Sequence, residues 1–423
     1  MKRKFAILLS AMLLTQAVCG CDGAASSGTS SASASTGSIE SKSSEKAVIV
    51  TDEQDFTHEN GITRLAKEIY GDLNVEFFVL SEDTQERETQ ISSLRVEIMA
   101  GGGPDGYLLS SPTSNMTFNG EGHPATLFPD VQRTMQSGAF LPLDDYIKES
   151  EYLRSEDHFA PVFDTGKTDE GQVVLPITYY ASVFLLDKAQ LADPDFTPKT
   201  WDELVNCEDT AVLKVVRNNL YTWCGAGIPR IADYATEKTI LTEENLTAQF
   251  ENLLAMPASE SFDEETALIQ SGSYAQTDEG MAYYAQNKDT VNALAIPNTE
   301  GGVTAFITSY AAINRNSQKA DEVFRFFELL FSDEAQIDTE TVNDARGTLL
   351  MLGNQNSFLT HKNAYLQPEL LESVQSRVNA VRFYSVMDYT IYDTATTLTW
   401  EENPNCAAAA HSVIEALQTR LSE

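Results

Sequence analysis

The sequence predicts an α/β fold of two lobes that meet at a hinge, and three observations carry that reading. Near the start of the folded part, apolar runs of strand length alternate with segments of helical spacing. About 380 residues follow a low-complexity N-terminal stretch, more than one core usually supports. A long apolar strand, Leu175 to Leu186, lies midway through them, where a chain passing between lobes is expected.

The chain begins with an address. Lys2, Arg3 and Lys4 precede an apolar run from Phe5 to Val18 and small residues around Gly20, the three parts of a secretion signal. The run is shorter than the roughly 20 residues needed to cross a hydrocarbon core, so residues 1–20 are read as a cleaved signal peptide. Val18-Cys19-Gly20-Cys21 resembles the bacterial lipoprotein box, which implies acylation of Cys21 and an anchor on the outer face of the cell membrane. From Gly23 to Ser38 every residue is Gly, Ala, Ser or Thr, too apolar-poor to offset chain entropy. Residues 21–45 are therefore a tether, spanning roughly 25 to 30 Å as a flexible coil.

Ala47 to Thr51 is a β-branched run, Ile62, Leu65, Ala66, Ile69 and Tyr70 repeat at helical spacing, and Val75 to Leu80 is a second apolar run. Ile91, Leu94 and Ile98 mark a helix that stops at Gly101-Gly102-Gly103-Pro104, and Gly106 to Leu109 gives a third strand. Such alternation implies a parallel sheet with right-handed crossovers. Thr200-Trp201-Asp202-Glu203 reads as a capping box, which makes Trp201 structural. Phe306 to Ile313 reads as a strand, Val323, Phe326, Phe327, Leu330 and Phe331 as an amphipathic helix, and Val413, Ile414, Leu417 and Leu421 as a closing helix. Trp400 is expected in the core.

The net charge of −35 argues against a nucleic-acid partner and against adhesion to anionic lipid without a covalent anchor. Beyond Cys19 and Cys21, Cys207, Cys224 and Cys406 match no zinc spacing, and whether two of them pair is open. The sequence has no HExxH, GxSxG or GxxxxGK[ST] motif, so no cofactor, metal or catalytic residue is expected.

In open sheets ligands sit beyond the carboxyl ends of strands, which nominates Asp52, Glu53, Ser110 and Ser111. Tyr179 and Tyr180 are neighbours on the midway strand, so only one can line a cleft, and Tyr180 is favoured. Trp223 sits in a Gly-flanked stretch where an aromatic platform fits. Arg346 could donate a bidentate pair. Tyr283, Asp388 and Tyr389 are candidates from the second lobe.

Glu97-Ile-Met-Ala-Gly-Gly-Gly-Pro-Asp105, Ser137-Gly-Ala-Phe-Leu-Pro-Leu-Asp144, Leu175-Pro-Ile-Thr-Tyr-Tyr180, Thr200-Trp-Asp-Glu-Leu204 and Ser309-Tyr-Ala-Ala-Ile-Asn-Arg-Asn-Ser317 occur in an order and spacing that resemble the family-1 extracellular solute-binding proteins. The segment Gly272-Ser-Tyr-Ala-Gln276 departs from that family's pattern. The resemblance implies a two-lobed periplasmic-binding-protein-like fold with hinge crossovers and a cleft. Lobe 1 would be 46–177 plus 303–348, and lobe 2 178–302 plus 349–423. It also places Ser309 and Tyr310 where the returning strand meets the cleft. A monomer that delivers a small ligand, a mono- or oligosaccharide, to the permease subunits of an ABC importer is the function it implies. A ligand sensor or peptide-binding lipoprotein of the same fold, a glycoside hydrolase and a surface adhesin are the alternatives.

Overall fold

Strand β1 (Ala47–Thr51), helix α1 (Gly61–Tyr70), strand β2 (Val75–Val79), helix α2 (Thr84–Met99) and strand β3 (Gly106–Ser110) alternate as the periodicity predicts. They belong to a computed structural model that describes residues 45–111, 125–218, 226–257, 278–337, 344–352, 357–365 and 368–422. The signal, Cys21 and the tether lie outside these residues, as do Trp223, Cys224 and Gly272 to Gln276. The Asn60 and Asp83 side chains accept from the Thr63 and Glu86 amides at 2.9 Å and so fix the starts of α1 and α2. The glycine turn after α2 is needed because Gly101 and Gly103 adopt φ of 81° and 91°.

Helices α3 (Val131–Gln136), α4 (Asp144–Glu149) and α5 (Ala160–Asp164) lead to β4 (Leu175–Ala181) and β5 (Val183–Asp187). The strand expected over 175–186 is thus two strands broken at Ser182. Helices α6 (Trp201–Val205), α7 (Thr210–Asn218), α8 (Glu243–Ala255) and α9 (Asp278–Gln286) precede β6 (Val291–Ala295) and β7 (Val303–Ile313). The chain closes with α10 (Ala320–Leu329), α11 (Asp333–Gln336), α12 (Asp344–Leu352), β8 (Phe358–Leu359), α13 (Pro368–Gln375), β9 (Val378–Phe383), α14 (Val386–Trp400) and α15 (Cys406–Ser422).

The large sheet runs β2-β1-β3-β7-β4-β8, with β9 also on β7. Strands β2 and β3 are parallel to β1, whereas β7 is antiparallel to both β3 and β4. Phe56 and Phe77, 4.6 Å apart, and Phe326 on α10, 5.2 Å from Phe77, pack on one side of it. A second core gathers Phe184 and Leu186 of β5, Leu294 of β6, Trp201, Phe250 of α8, Ile391 of α14 and Leu417 of α15. Strand β5 pairs antiparallel with β6 there. The chain therefore passes between the cores at Ser182, again between β6 and β7, and a third time after β9. The first two passages are tied by the Ile296 amide, which donates to the Ser182 carbonyl at 2.9 Å. Residues 40–423 form one compact unit.

Trp201 is buried under Gly227, where an added Cβ would stand 3.1 Å from the indole ring. Thr200 accepts from the Glu203 amide at 3.2 Å, but Glu203 reaches back to the Lys199 amide rather than to that of Thr200. Trp400 is not core as expected. It is 83% exposed, because it lies two positions past the core residue Leu398 and so points to the opposite side of the helix. Cys207 and Cys406 are free thiols.

His158 is fully buried, stacked on Phe163 at 5.6 Å, with Phe331 at 5.3 Å and His361 at 5.6 Å. Burial first, and then His361, hold its pKa down at about 3, and burial also lowers that of His361. Both rings are therefore neutral when folded, whereas the unfolded chain takes up these protons near pH 6.5. The packing of His158 stabilises the fold in full above that pH and loses its effect as the pH falls from 6.5 toward 3. Between pH 7.5 and pH 5, urea unfolding should show a loss of about 2 kcal/mol from His158. His158→Phe, which fits between Phe163 and Phe331, should remove that part of the slope.

Candidate functional site

The pairing register sets the floor of a site at the passage between the cores. Tyr180 of β4 lies opposite Phe306 of β7, and Phe306 opposite Arg382 of β9. Paired residues project to the same face, so Tyr180, Phe306 and Arg382 form one row across three strands. The Arg382 guanidinium lies 4.6 Å above the Phe306 ring, and the Tyr384 ring is 5.9 Å from that of Phe306. Tyr180 is half-buried, and its hydroxyl accepts from Ser182 at 3.3 Å.

Arg382 is held from two sides. It pairs with Asp388 at 2.5 Å and donates to the Ile228 carbonyl at 3.2 Å. Asp388 itself completes a capping box on α14, accepting from the Ser385 amide at 2.9 Å while Ser385 caps the helix. Burial pushes the Asp388 carboxyl up, and Arg382 opposes that shift. Beside the row is a cavity of about 300 Å³. Gln132 of α3 bounds it from the first lobe, Ile231 and Tyr234 from the second, and Asn379 and Arg382 from β9. Its charged groups are matched within the protein, since Arg230, which also lines it, pairs with Glu300 at 3.3 Å.

The residues nominated from sequence fall in three places. Asp388 joins the floor through Arg382, Tyr180 stands in the row, and Tyr389 follows on α14, half-buried, with its hydroxyl donating to Asp393 at 3.3 Å. Asp52, Glu53 and Ser110 cluster beyond the carboxyl ends of β1 and β3. There the Asp52 carboxylate accepts from the Ser110 amide and hydroxyl at 3.1 Å and faces Arg87 at 3.6 Å, both charged groups being about 5% exposed. Asp52 thus ties the two strand ends to α2. Glu53 caps the short turn Gln54–Thr57, accepting from the Asp55 amide at 3.1 Å, and burial raises its pKa.

Tyr179, Ser309, Ser111, Tyr310 and Arg346 require correction, because they are enclosed by protein. Tyr179 is fully buried on the face opposite Tyr180, between Phe159 and Phe358, and Gln375 donates to its hydroxyl at 2.9 Å. Ser309 is locked into a chain of hydroxyls, 2.6 Å from Thr178, which is 2.8 Å from Thr308, itself 2.7 Å from Ser357. Ser111 donates to the Ile307 carbonyl, and Tyr310 packs on Phe383 at 5.6 Å. Arg346 is buried in α12 with its guanidinium 4.8 Å above the Tyr365 ring. Tyr283 is half-buried on α9, and Trp223 lies outside the described residues.

Phe306, Arg382, Tyr234, Gln132 and Asn379 were not nominated from sequence. Only Arg382 had a local signal, a cation between Val381 and Phe383 just ahead of the Ser385-x-x-Asp388 box.

Two cores joined by three passages, with a polar cavity beside the third, are the architecture of a two-lobed binding protein. The sequence profile of the bacterial extracellular solute-binding protein family matches residues 57–337, and the chain belongs to that family. No curated protein matches it by sequence. Among solved structures, the sugar-binding protein MalE of Xanthomonas citri superposes with a TM-score of 0.57 at 11% identity, over 89% of this chain and 97% of that one. The GacH receptor of Streptomyces glaucescens gives 0.51 at 12% identity, over 90% and 100%. An ABC substrate-binding protein of Listeria monocytogenes gives 0.51 at 12% identity, over 89% and 98%. At such identities the likeness establishes the two-lobed binding-protein fold.

Asp52→Asn would leave Arg87 buried without a counter-charge. It should cost about 3 kcal/mol in chemical denaturation, whereas Ser110→Ala should cost only about 1 kcal/mol.

Proposed function

We propose that this protein is a lipid-anchored carbohydrate-binding component of an ABC importer, which captures a mono- or oligosaccharide between its lobes. The observation that carries the reading is the hinge cavity, whose lining is rich in hydrogen-bonding groups and whose arginines are already paired with Glu300 and Asp388. A site with its charges matched internally favours a neutral, hydroxyl-rich ligand over an ionic one. The half-buried Tyr180 ring offers the apolar face that the C–H side of a sugar needs. The sugars named with its structural relatives, acarbose for the GacH receptor and cycloalternan for the Listeria protein, agree in class.

In this reading the protein binds without transforming its ligand and works as a monomer with two permease subunits. Cys21, acylated after removal of residues 1–20, holds it at the outer face of the membrane, and residues 21–45 let it move. The first lobe comprises 46–181 and 303–383, since β4, β8 and β9 all pair within the large sheet. The second comprises 182–302 and 384–423.

A thermal-shift screen of residues 40–423 against saccharides, peptides and polyamines tests the ligand class. A sugar at 100 times its dissociation constant adds about 2.7 kcal/mol. Tyr180→Ala and Asn379→Ala should each abolish the shift while remaining folded, and a shift given only by peptides or polyamines would overturn the assignment. The anchor is tested separately. The full chain made in bacteria should partition into Triton X-114 detergent, and Cys21→Ser should return it to the aqueous phase.

A further inference from the structure

A row of hydrogen bonds beside the cavity has its direction fixed from end to end. The passage from β6 to β7 turns between Asn298 and Gly302, where the Asn298 amide donates to the Gly302 carbonyl at 2.8 Å. The Asn298 side chain is fully buried. The Glu300 amide stands 3.0 Å from its Oδ1, and because an amide N–H can only donate, that atom is the oxygen. Thr304 of β7 gives its hydroxyl proton to the Ala226 carbonyl at 3.0 Å, so it accepts from the Asn298 Nδ2 at 3.1 Å.

The second proton on that nitrogen goes to Asn379 of β9, whose Oδ1 lies 2.7 Å away. The side of Asn298 turned to this partner is its nitrogen, so Asn379 is held with its oxygen inward and its Nδ2 outward. The outward nitrogen lies 3.5 Å from the Glu300 carbonyl, the outer limit of a hydrogen bond, and it carries two protons. Asn379 is exposed and lines the cavity.

The chain makes room for this carboxamide. Gly301 adopts φ of 75°, but Gly302 does not have a positive φ, so backbone conformation does not demand a glycine there. Close approach does: a Cβ at position 302 would stand 2.2 Å from the Asn379 Cγ. Arg230 and Arg382, which line the cavity beside Asn379, carry donors and no acceptor. This wall of the cavity therefore offers protons.

We propose that Asn379 donates a hydrogen bond to a ligand oxygen in the hinge cavity, and that Asn298, buried behind it, is the positioning residue that fixes this polarity. The proposal rests on the reading that the cavity takes a saccharide. A sugar hydroxyl can donate or accept. At this point of the site it accepts, so the site tells hydroxyl from hydrogen by its oxygen and tolerates fluorine, a weak acceptor that cannot donate. Asn298→Asp reverses the row. An acceptor at position 298 draws the Asn379 Nδ2 inward and turns its Oδ1 to the cavity.

Two measurements on residues 40–423 test it. Without sugar, NMR exchange of the side-chain amide protons reads the orientation. Those of Asn379 should exchange freely in wild type and about ten- to a hundred-fold more slowly in Asn298→Asp, where they are bonded to a charged acceptor. A merely loosened structure would speed them instead. Protected Asn379 protons in wild type, or freely exchanging ones in folded Asn298→Asp, would overturn the polarity. With D-glucose, D-galactose, D-xylose and maltose, each beside its monodeoxy and deoxyfluoro analogues, calorimetry should find one hydroxyl whose removal weakens binding about ten-fold and whose replacement by fluorine weakens it less. Gly302→Ala, whose Cβ displaces the Asn379 carboxamide and leaves Asn298 in place, should erase that difference. Fluorine as costly as hydrogen at every position would overturn the donor role. If none of these sugars binds, the saccharide reading falls and the donor role with it, while the exchange rates still decide the orientation.

Discussion

Strand β7 is buried on both faces and paired along both edges, and the rest of the molecule is arranged around that constraint. All of Val303 to Ile313 is shielded from solvent. One edge is taken by β4, while the other is shared, with β9 on Val303 to Ile307 and β3 on Ser309 to Ile313. A strand in this position has no backbone donor or acceptor left for water, so its partners are obligatory. Because β7 arrives from the second core and ends in the first, its early residues are both hinge and sheet. The aromatic row forms there because three strands that leave for the second lobe must first lie side by side.

The parts of the fold legible in the sequence are the helices whose buried residues recur at helical spacing and the strands that form apolar runs. Helices α1, α2 and α10 are of the first kind, strands β1 to β3 and most of β7 of the second, and their expected limits agree with the structure to within a few residues. Strand β8 is only two residues long, and β9 carries Asn379 and Arg382 among its apolar residues. Neither has a pattern of its own; both exist because β4 and β7 have edges to fill. The break at Ser182 was hidden for a similar reason, since the residues on both sides of it are apolar but are buried in different cores.

The site was legible in parity and not in partnership. Strand alternation requires Tyr179 and Tyr180 to face opposite ways, and Tyr180 is the one left partly exposed. Nothing local told that Asp52 meets an arginine from the first turn of α2, or that Asp388 is engaged by Arg382 one strand earlier. Ser309 and Tyr310 sit at the irregular register of β7 against β4, where the hydroxyls of Thr178 and Thr308 enclose the serine. In a chain carrying −35 net charge, these arginines are drawn inward to buried carboxylates. What remains around the cavity is hydrogen-bonding geometry rather than net charge, which is the kind of surface that distinguishes one arrangement of hydroxyls from another.

The central claim is that ligand contacts both lobes at the floor made by β4, β7 and β9. Amide hydrogen exchange of residues 40–423, read by mass spectrometry with and without the saccharide that most stabilises the protein, tests it directly. The account predicts slowed exchange around Tyr180 to Val183, at Asn379 to Arg382 and at Pro229 to Tyr234 together. Protection confined to one lobe, or absent from β9 and the Pro229 segment while the saccharide still stabilises the protein, would contradict it.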